Sequence, residues 1–461
     1  MITISRYLHS VLFWGAWIII PVIMEIIPSI GGFFLILKRR RKIKKAYEKP
    51  VLYPEISLIV PVYNSSQTLF ACIRSISESD YPNERIRVFL VNNQGKDNSF
   101  EVFAKCQSEF PDIKMQWLNS RQGKSRALNL ALYNSEGKYI INLDSDGLLE
   151  KSALTHMIDK FEACPDLNCM TGAVLTTPSM IEEYKGFFPR LLRKLEFMEY
   201  AQAFLAGRSY ASELNAVYTL SGAFSAFRKS AILKSRMYNT NTICEDTQIT
   251  FQMRYIQKER IEICENALFF VDPIEDVNKL YTQRQRWQRG SLEVAKQFLD
   301  ENNNFGGKFD VNIKTLLYDH TFAFPRLIWY IALICLMCMN YSSKVIIGST
   351  AFIFVIYIIV GFMYFATVRY FLKEFDDIYK YYTKHWWVIF LLPFFNLAVF
   401  FIRVAGIVNS VGTDSAWRTR NLTEEKKAFL EVFHEEMQKP VNLLRKLRDL
   451  VNVRDDENEA K

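Results

Sequence analysis

Apolar residues along this chain fall into four long blocks, at residues 11–37, 322–339, 345–368 and 386–408. Between the first two blocks the pattern shortens. "ISLIVPVY" (56–63), "IRVFLV" (86–91), "IKMQWL" (113–118) and "GKYIINL" (137–143) are brief apolar runs rich in β-branched and aromatic residues, and they predict strands. Residues 66–79 and 123–134 carry apolar positions at helical spacing. Strands that alternate with helices predict an α/β domain on a mostly parallel sheet, covered on both faces. In such sheets ligands bind beyond the carboxyl ends of the strands.

The long blocks predict membrane segments. Residues 11–37 are enough, at about 1.5 Å per residue, to cross a hydrocarbon core of ~30 Å. Pro21, Glu25 and Pro28 within them predict a kink. The basic run "KRRRKIKK" (38–45) follows the apolar block, whereas in a signal peptide it would precede it. Its seven positive charges read as a cytoplasmic flank touching anionic lipid, which places the N-terminus outside, rather than as a nucleic-acid patch. Blocks 322–339 and 345–368 read as a hairpin with "NYSSK" as its outer turn. Block 386–408 contains Pro393, Asn396 and Arg403. If it spanned, the Lys/Arg-rich tail would lie outside, against the charge rule, so a re-entrant or interfacial segment is the favoured reading. The tail itself reads as one amphipathic helix and a charged end. The expected organisation is a membrane helix with basic flank (1–49), a cytoplasmic domain (50–319), a transmembrane or interfacial region (320–410) and a basic cytoplasmic tail (411–461).

Composition agrees with a soluble part joined to membrane segments. Half of the 461 residues are hydrophobic and 36 are Phe, yet 23% are charged, with a net charge of +8. The length allows about two to three domains. The eight cysteines form no disulfide framework, and Cys335 and Cys338 sit in an apolar run without further zinc partners. The five histidines are scattered, and a reducing cytoplasm suits the soluble part. "YKGFFPRLLRKLEFMEYAQAFL" (184–205) has aromatic and basic residues at helical spacing. Both a packed core helix and an interfacial helix that docks the domain on the bilayer fit it.

Three places could carry chemistry. The strand "YIINL" ends on "DSD", and two aspartates one residue apart, Asp144 and Asp146, can share Mg2+ or Mn2+ with phosphate oxygens. A polar loop is the plain alternative. "ICEDTQIT" sets Glu245 and Asp246 at the head of a helix, as a cap favoured by the dipole or as a general base for an acceptor hydroxyl. In "YTQRQRWQRG", Gln283, Arg286 and Trp287 could face one ligand, Arg as a diphosphate fork and Trp as a sugar platform. An amphipathic helix on a membrane surface would carry the same residues.

Taken in order, "VPVYN", "VNNQGKDNS", "GKSRALN", "LDSD", "SGAFSAFR", "CED" and "QRQRW", before a membrane hairpin, resemble the membrane-bound family 2 glycosyltransferases, the group of cellulose, chitin, hyaluronan and poly-N-acetylglucosamine synthases. The resemblance covers about residues 54–288 and implies a GT-A, Rossmann-like domain inserted between transmembrane helices. It implies that Pro61 and Tyr63 line a uracil pocket, that Lys124 lies near the nucleotide, and that Asp144 meets the ribose side and the metal. Asp146 would hold Mg2+ or Mn2+ against the diphosphate, and Asp246, beside Glu245, would be the base. Gln283, Arg286 and Trp287 would surround the diphosphate and acceptor end, and Ser221 and Gly222 would line the acceptor path. Two positions depart from the pattern. Asn93 stands where an Asp commonly reads uracil, although an Asn carbonyl can still accept from the uracil N3–H. Cys244 replaces a Thr before Glu-Asp.

The resemblance therefore implies an inverting transferase that moves a sugar from a UDP-sugar to a cell-surface polysaccharide at a bacterial plasma membrane. Transfer of a single sugar to a lipid-linked acceptor is the alternative within the class. A non-catalytic nucleotide-binding membrane receptor is the alternative outside it, and it has no need of a base and a diphosphate clamp in register. Three or four spans make a thin pore, so an export partner or a homo-oligomer belongs to the processive reading. No nucleic-acid partner is implied.

Overall fold

The computed structural model describes residues 21–23, 25–43, 47–301, 323–412, 422–425 and 427. Residues 11–20 of the first apolar block, the domain boundary expected near Asp319 and most of the basic tail lie outside them.

An eight-stranded sheet in the order β3-β2-β1-β4-β7-β6-β8-β5 forms the domain. Its first half is β1 (Ile56–Val62), β2 (Ile86–Asn92), β3 (Lys114–Asn119) and β4 (Tyr139–Leu143), all parallel. Strands β1, β2 and β4 are almost wholly buried, as their near-continuous apolar runs require of a sheet covered on both faces. The second half is β5 (Gly147–Leu149), β6 (Cys169–Thr176), β7 (Phe224–Arg228) and β8 (Ile261–Val271).

The sheet is mostly parallel, as expected, with six of its eight strands running one way, but β7 and β5 run against the rest and make it mixed. Strand β7 runs antiparallel to both β4 and β6, and β5 runs antiparallel to β8, while β6 and β8 are parallel. Alternating strands and helices tell that crossovers exist. They do not tell from which edge the next strand enters. The reversal matters, because Leu143 pairs with Phe224. The residues that follow β4 and those that precede β7 therefore meet at one edge of the sheet.

One face is covered by α2 (Leu69–Ser77), α3 (Ser99–Glu109) and α5 (Ala153–Ala163), whose Leu69, Ile73, Phe103, Met157 and Phe161 join the strand side chains in a single core. The other face carries α4 (Lys124–Asn134) and α10 (Glu245–Phe251) through Leu128, Leu132 and Ile249. Between them in the chain lie α6 (Pro178–Glu183), α7 (Phe187–Tyr200), α8 (Arg208–Glu213) and the short α9 (Lys229–Ile232).

Residues 187–205 are helical throughout, but the helix changes type within them. α7 ends at Tyr200 and continues into a π-helical turn, Ala201–Gly207. Phe197, Met198, Tyr200 and Leu205 are buried with Ala173 and Leu175 of β6 against the C-terminal helices, while Phe187 and Phe188 stay exposed. The segment is thus a core element whose partner is the apolar region. Each fully buried Leu or Phe there contributes roughly 1.5–3 kcal/mol, which fastens the sheet domain to the helices beyond it.

The apolar blocks are helices. α1 (Ile27–Ile43) follows directly on π-helical residues 25–26, so Pro28 lies where the helix changes from π to α geometry. The expected hairpin is α12 (Ala323–Cys338) and α13 (Ser343–Phe371). α14 (Asp376–Lys384) packs against α13, and after a 3₁₀ turn, Trp386–Phe390, comes α15 (Leu392–Gly412). The block at 386–408 is therefore broken near Leu391, but its second part is a 21-residue helix. Among the described residues, Pro21–Arg39, Ile346–Glu374 and Leu392–Asn409 are long and apolar enough to cross a membrane. α11 (Val277–Glu301) packs along α15.

Candidate active site

The carboxyl ends of β1, β2 and β4 define the edge where the predicted site residues gather. Asn64 (φ 51°) and Gln94 (φ 60°) take left-handed backbones where the chain leaves β1 and β2, a conformation that Asn adopts more readily than most residues. Asp97 accepts from the Ser66 N–H at 2.7 Å and from the Ser99 hydroxyl at 2.6 Å, pinning the two loops together. Ser65 Oγ lies 2.7 Å from Ser145 Oγ, and so ties the β1 end to the acidic turn after β4.

Lys124 opens α4 beneath this turn. Its ammonium donates to Asp144 Oδ1 at 2.6 Å and to the Gly222 carbonyl at 3.3 Å, and it lies 3.4 Å from Glu245 Oε1. Burial alone would push the ammonium down, but Asp144 and then Glu245 outweigh it and the group is held cationic, raised above its usual range. Burial pushes Glu245 up, against the pull of Lys124. Glu245 is therefore a buried brace on Lys124 rather than a group that faces the cleft.

Asp246 sits differently. Its Oδ2 accepts from the Gly222 N–H at 3.2 Å, and its Oδ1 from the Thr247 N–H at 2.7 Å. A Cβ at Gly222 would come within 3.0 Å of Asp246 Oδ2. Glycine is needed here so that the backbone can approach the carboxylate. For the sugar transfer that the motifs imply, Gly222→Ala is expected to displace that carboxylate and lower turnover by about 10²-fold, the scale of a 1 Å misplacement. Nucleotide affinity should stay within about twofold, and steady-state kinetics beside calorimetric UDP binding would check both.

Asp146 is exposed to solvent on the turn after β4, with protein packed about its carboxyl. That position pushes its carboxyl up to about 6, first by incomplete hydration and then by the charge of Asp144, with Lys124 opposing. The edge thus holds four carboxylates, Asp144, Asp146, Glu245 and Asp246, around one ammonium. Such an excess would repel a diphosphate and attract a cation. Among the described residues no group of three or more His, Cys, Asp or Glu is arranged for a metal. Magnesium seldom asks for one, because it is held by one or two carboxylates and the substrate's own phosphate oxygens. The residues present fit a divalent cation that arrives with a nucleotide.

Residues 57–234 match the profile of Glycosyl transferase family 2. The poly-beta-1,6-N-acetyl-D-glucosamine synthase of Staphylococcus epidermidis is 27% identical over 277 residues, 59% of this chain and 64% of the relative. That of Staphylococcus aureus (strain COL) is 25% identical over 285 residues, 61% of this chain and 66% of the relative. The chain thus spans just under two thirds of the length of these relatives. A mannosyltransferase of Pyrobaculum calidifontis, solved in complex with GDP-Man and Mn2+, shares the fold with a TM-score of 0.56 at 16% identity, over 86% of this chain and 99% of that one. The chain carries, at residues 57–234, a family 2 glycosyl transferase domain. Its mixed, Rossmann-like sheet is the GT-A fold that the motifs implied.

Within this family 2 domain, Pro61, Tyr63 and Asn93 stand at the ends of β1 and β2, with Tyr63 exposed. Asn93 is nearly buried, and its side-chain carbonyl accepts from the Gly123 N–H at 2.6 Å. It braces the loop before α4, so one of its two lone pairs is already used. Ser221 donates its backbone N–H to Thr171 Oγ1 at 3.1 Å. Gln283, Arg286 and Trp287 lie half-buried on α11, and Gln283 Oε1 is buried without a hydrogen-bond partner. α11 reaches the Glu245–Asp246 turn through Cys244, whose thiol donates to the Arg286 carbonyl at 4.0 Å. A Cβ at Gly290 would fall 2.0 Å from Cys244 Sγ, so only glycine permits this approach. Cys244 is a packing residue at the seam between the Glu245–Asp246 turn and α11.

Two features went unread in the sequence. Arg208, at the start of α8, is lowered by burial and feels the charges of Tyr218 and Asp246. It lines a cavity of about 240 Å³ between the domain, through Tyr218 and Thr219, and the apolar helices, through Phe354, Leu392 and Asn396. The second is Arg284, fully buried beside Arg286 and paired with Glu199 of α7 at 2.5 Å. The spacing of Arg193, Glu196 and Glu199, three residues apart, was the available signal for a polar face on α7.

Proposed function

We propose that this protein is an inverting membrane glycosyltransferase that moves a sugar from a UDP-sugar to a growing cell-surface polysaccharide. The single observation that carries the reading is the placing of Asp246 at the same sheet edge as Asp144 and Asp146. The Gly222 N–H aims its carboxylate. The poly-N-acetylglucosamine synthases among the relatives support the polysaccharide product. The Mn2+ bound to the mannosyltransferase of similar fold supports a divalent cation.

Asp144 and Asp146 would hold Mg2+ or Mn2+. Such a cation supplies charge neutralisation for the leaving diphosphate. Asp246 takes the proton of an acceptor hydroxyl as its oxygen bonds to the anomeric carbon. The bond from that carbon to the diphosphate oxygen breaks, and its electron pair leaves with the nucleoside diphosphate. A single displacement turns an α-linked donor into a β-linked product. Lys124, tied to Asp144, Glu245 and the Gly222 carbonyl, keeps the acidic turn and the base segment in register. The cavity beside Arg208 offers the acceptor a path toward the membrane. The catalytic domain faces the cytoplasm of a bacterial cell, where nucleotide sugars are made, and the thin helix set leaves room for an export partner or a second copy.

A donor panel tests this. Detergent-purified protein is given UDP-, GDP- and dTDP-sugars with Mn2+ or Mg2+, and free nucleoside diphosphate is read. Release from a UDP-sugar, absent in Asp246→Asn, is expected, and product length separates polymer from single transfer. Saturable nucleotide binding without release from any donor, with glycan and lipid-linked acceptors supplied, would favour the receptor reading.

A further inference from the structure

The face that α7 turns toward α11 is built of charged residues with almost no access to solvent. Arg193, Glu196, Glu199 and Tyr200 are each less than a tenth exposed, and so is Arg284 opposite them. Arg193 donates to the Pro189 carbonyl at 2.7 Å and to the Glu275 carbonyl, and Glu196 accepts from the Ile274 N–H at 2.8 Å. These bonds hold the segment that leads into α11. Glu199 then holds α11 itself through Arg284.

Arg284 does more than close an ion pair. Its guanidinium lies 4.4 Å from the centre of the Trp287 ring and 5.3 Å from that of Tyr200. A guanidinium over an aromatic face is held by the ring quadrupole, most strongly when desolvated. Trp287 is also packed against Phe204, ring centres 6.0 Å apart, and Phe204 lines the cavity beside Arg208.

We propose that Arg284 is a positioning residue for sugar transfer: fixed from behind by Glu199, it seats the Trp287 ring against Phe204 and so sets where the acceptor end rests. This rests on the transferase reading above. α7 thereby acts as the template for the "QRQRW" motif, and the second residue of that motif orients the fifth.

The test uses the full-length protein in detergent. Arg284→Met keeps the apolar stem and removes the cation. Glu199→Gln keeps the hydrogen-bonding shape and serves if the first variant folds poorly. The exchange pair Glu199→Arg with Arg284→Glu restores opposite charges but takes the cation off the ring. The expected result is a fall in kcat of about 10²-fold in the first two variants, with the Kd for UDP within about twofold of wild type. In the exchange pair the thermal midpoint should recover while kcat does not. Recovery of kcat together with the midpoint would overturn the proposal, because a structural cross-link would behave so. Unchanged kcat in Arg284→Met would overturn it as well. A readout independent of activity is acrylamide quenching of Trp287, taken as the difference between each protein and its Trp287→Phe counterpart. Quenching should rise in Arg284→Met, and no rise would overturn the seating of the ring. If wild-type protein transfers no sugar, the transferase reading fails on its own, and the quenching measurement still decides the seating.

Discussion

Replacing Asp246 by asparagine is expected to lower sugar transfer by about 10²–10⁴-fold, the usual worth of a positioned general base. Asparagine keeps the shape of the side chain, and its one carbonyl oxygen can accept from one of the two N–H groups, of Gly222 and Thr247, that hold Asp246. What it loses is the capacity to take a proton. Nucleotide affinity should therefore stay close to wild type, because the acidic turn and Lys124 are untouched. The effect belongs in kcat, since the base acts only as the acceptor oxygen attacks. Single-turnover transfer beside calorimetric UDP binding checks both halves. Transfer within a few-fold of wild type would remove Asp246 from the role of base.

The second large effect concerns Asp146. Its carboxyl is pushed up to about 6 by the protein packed about it and by Asp144. Protons therefore compete with a divalent cation in an accessible range. Metal-supported UDP binding is expected to fall about tenfold for each pH unit below 6 and to level off above it, one proton being displaced per cation at this group. The sign for the ligand-free protein is opposite. The folded state holds this proton more firmly than the unfolded chain, whose carboxyl titrates near 3.8, so stability from this group declines as pH rises from 3.8 to about 6. Asp146→Asn should abolish the difference in UDP affinity with and without Mn2+ and flatten its pH dependence. Binding that keeps its metal requirement in this variant would overturn the assignment of Asp146 to the cation.

Much of the site was legible in the chain. The strand "YIINL" could end on two aspartates only at an edge open to solvent or to a cation. The helix that begins at Glu245 placed a carboxylate pair at its own head. These are local facts, set by strand period, by charge and by the free N–H groups of a helix start. The division of labour within each pair was not local. Glu245 and Asp246 are neighbours in sequence, yet one is buried against Lys124 and the other is aimed by Gly222. Asn93, which invites a base-reading role, spends its carbonyl on the loop before α4.

The chain by itself determined the elements: the α/β alternation, the apolar helices, the acidic strand tip and the family to which the motifs point. It did so because burial period, helix length and charge are properties of neighbouring residues. The tertiary structure alone decided the direction of β7, which brings Ser221 and Gly222 to the edge where β4 ends. It also decided that α7 would face the apolar helices and α11 with a buried row of charges, and that glycine at 290 would let α11 touch the base turn. Those outcomes depend on contacts between segments tens to hundreds of residues apart. Their partners are chosen by shape and by the need to pair buried charge, and neither leaves a period in the sequence.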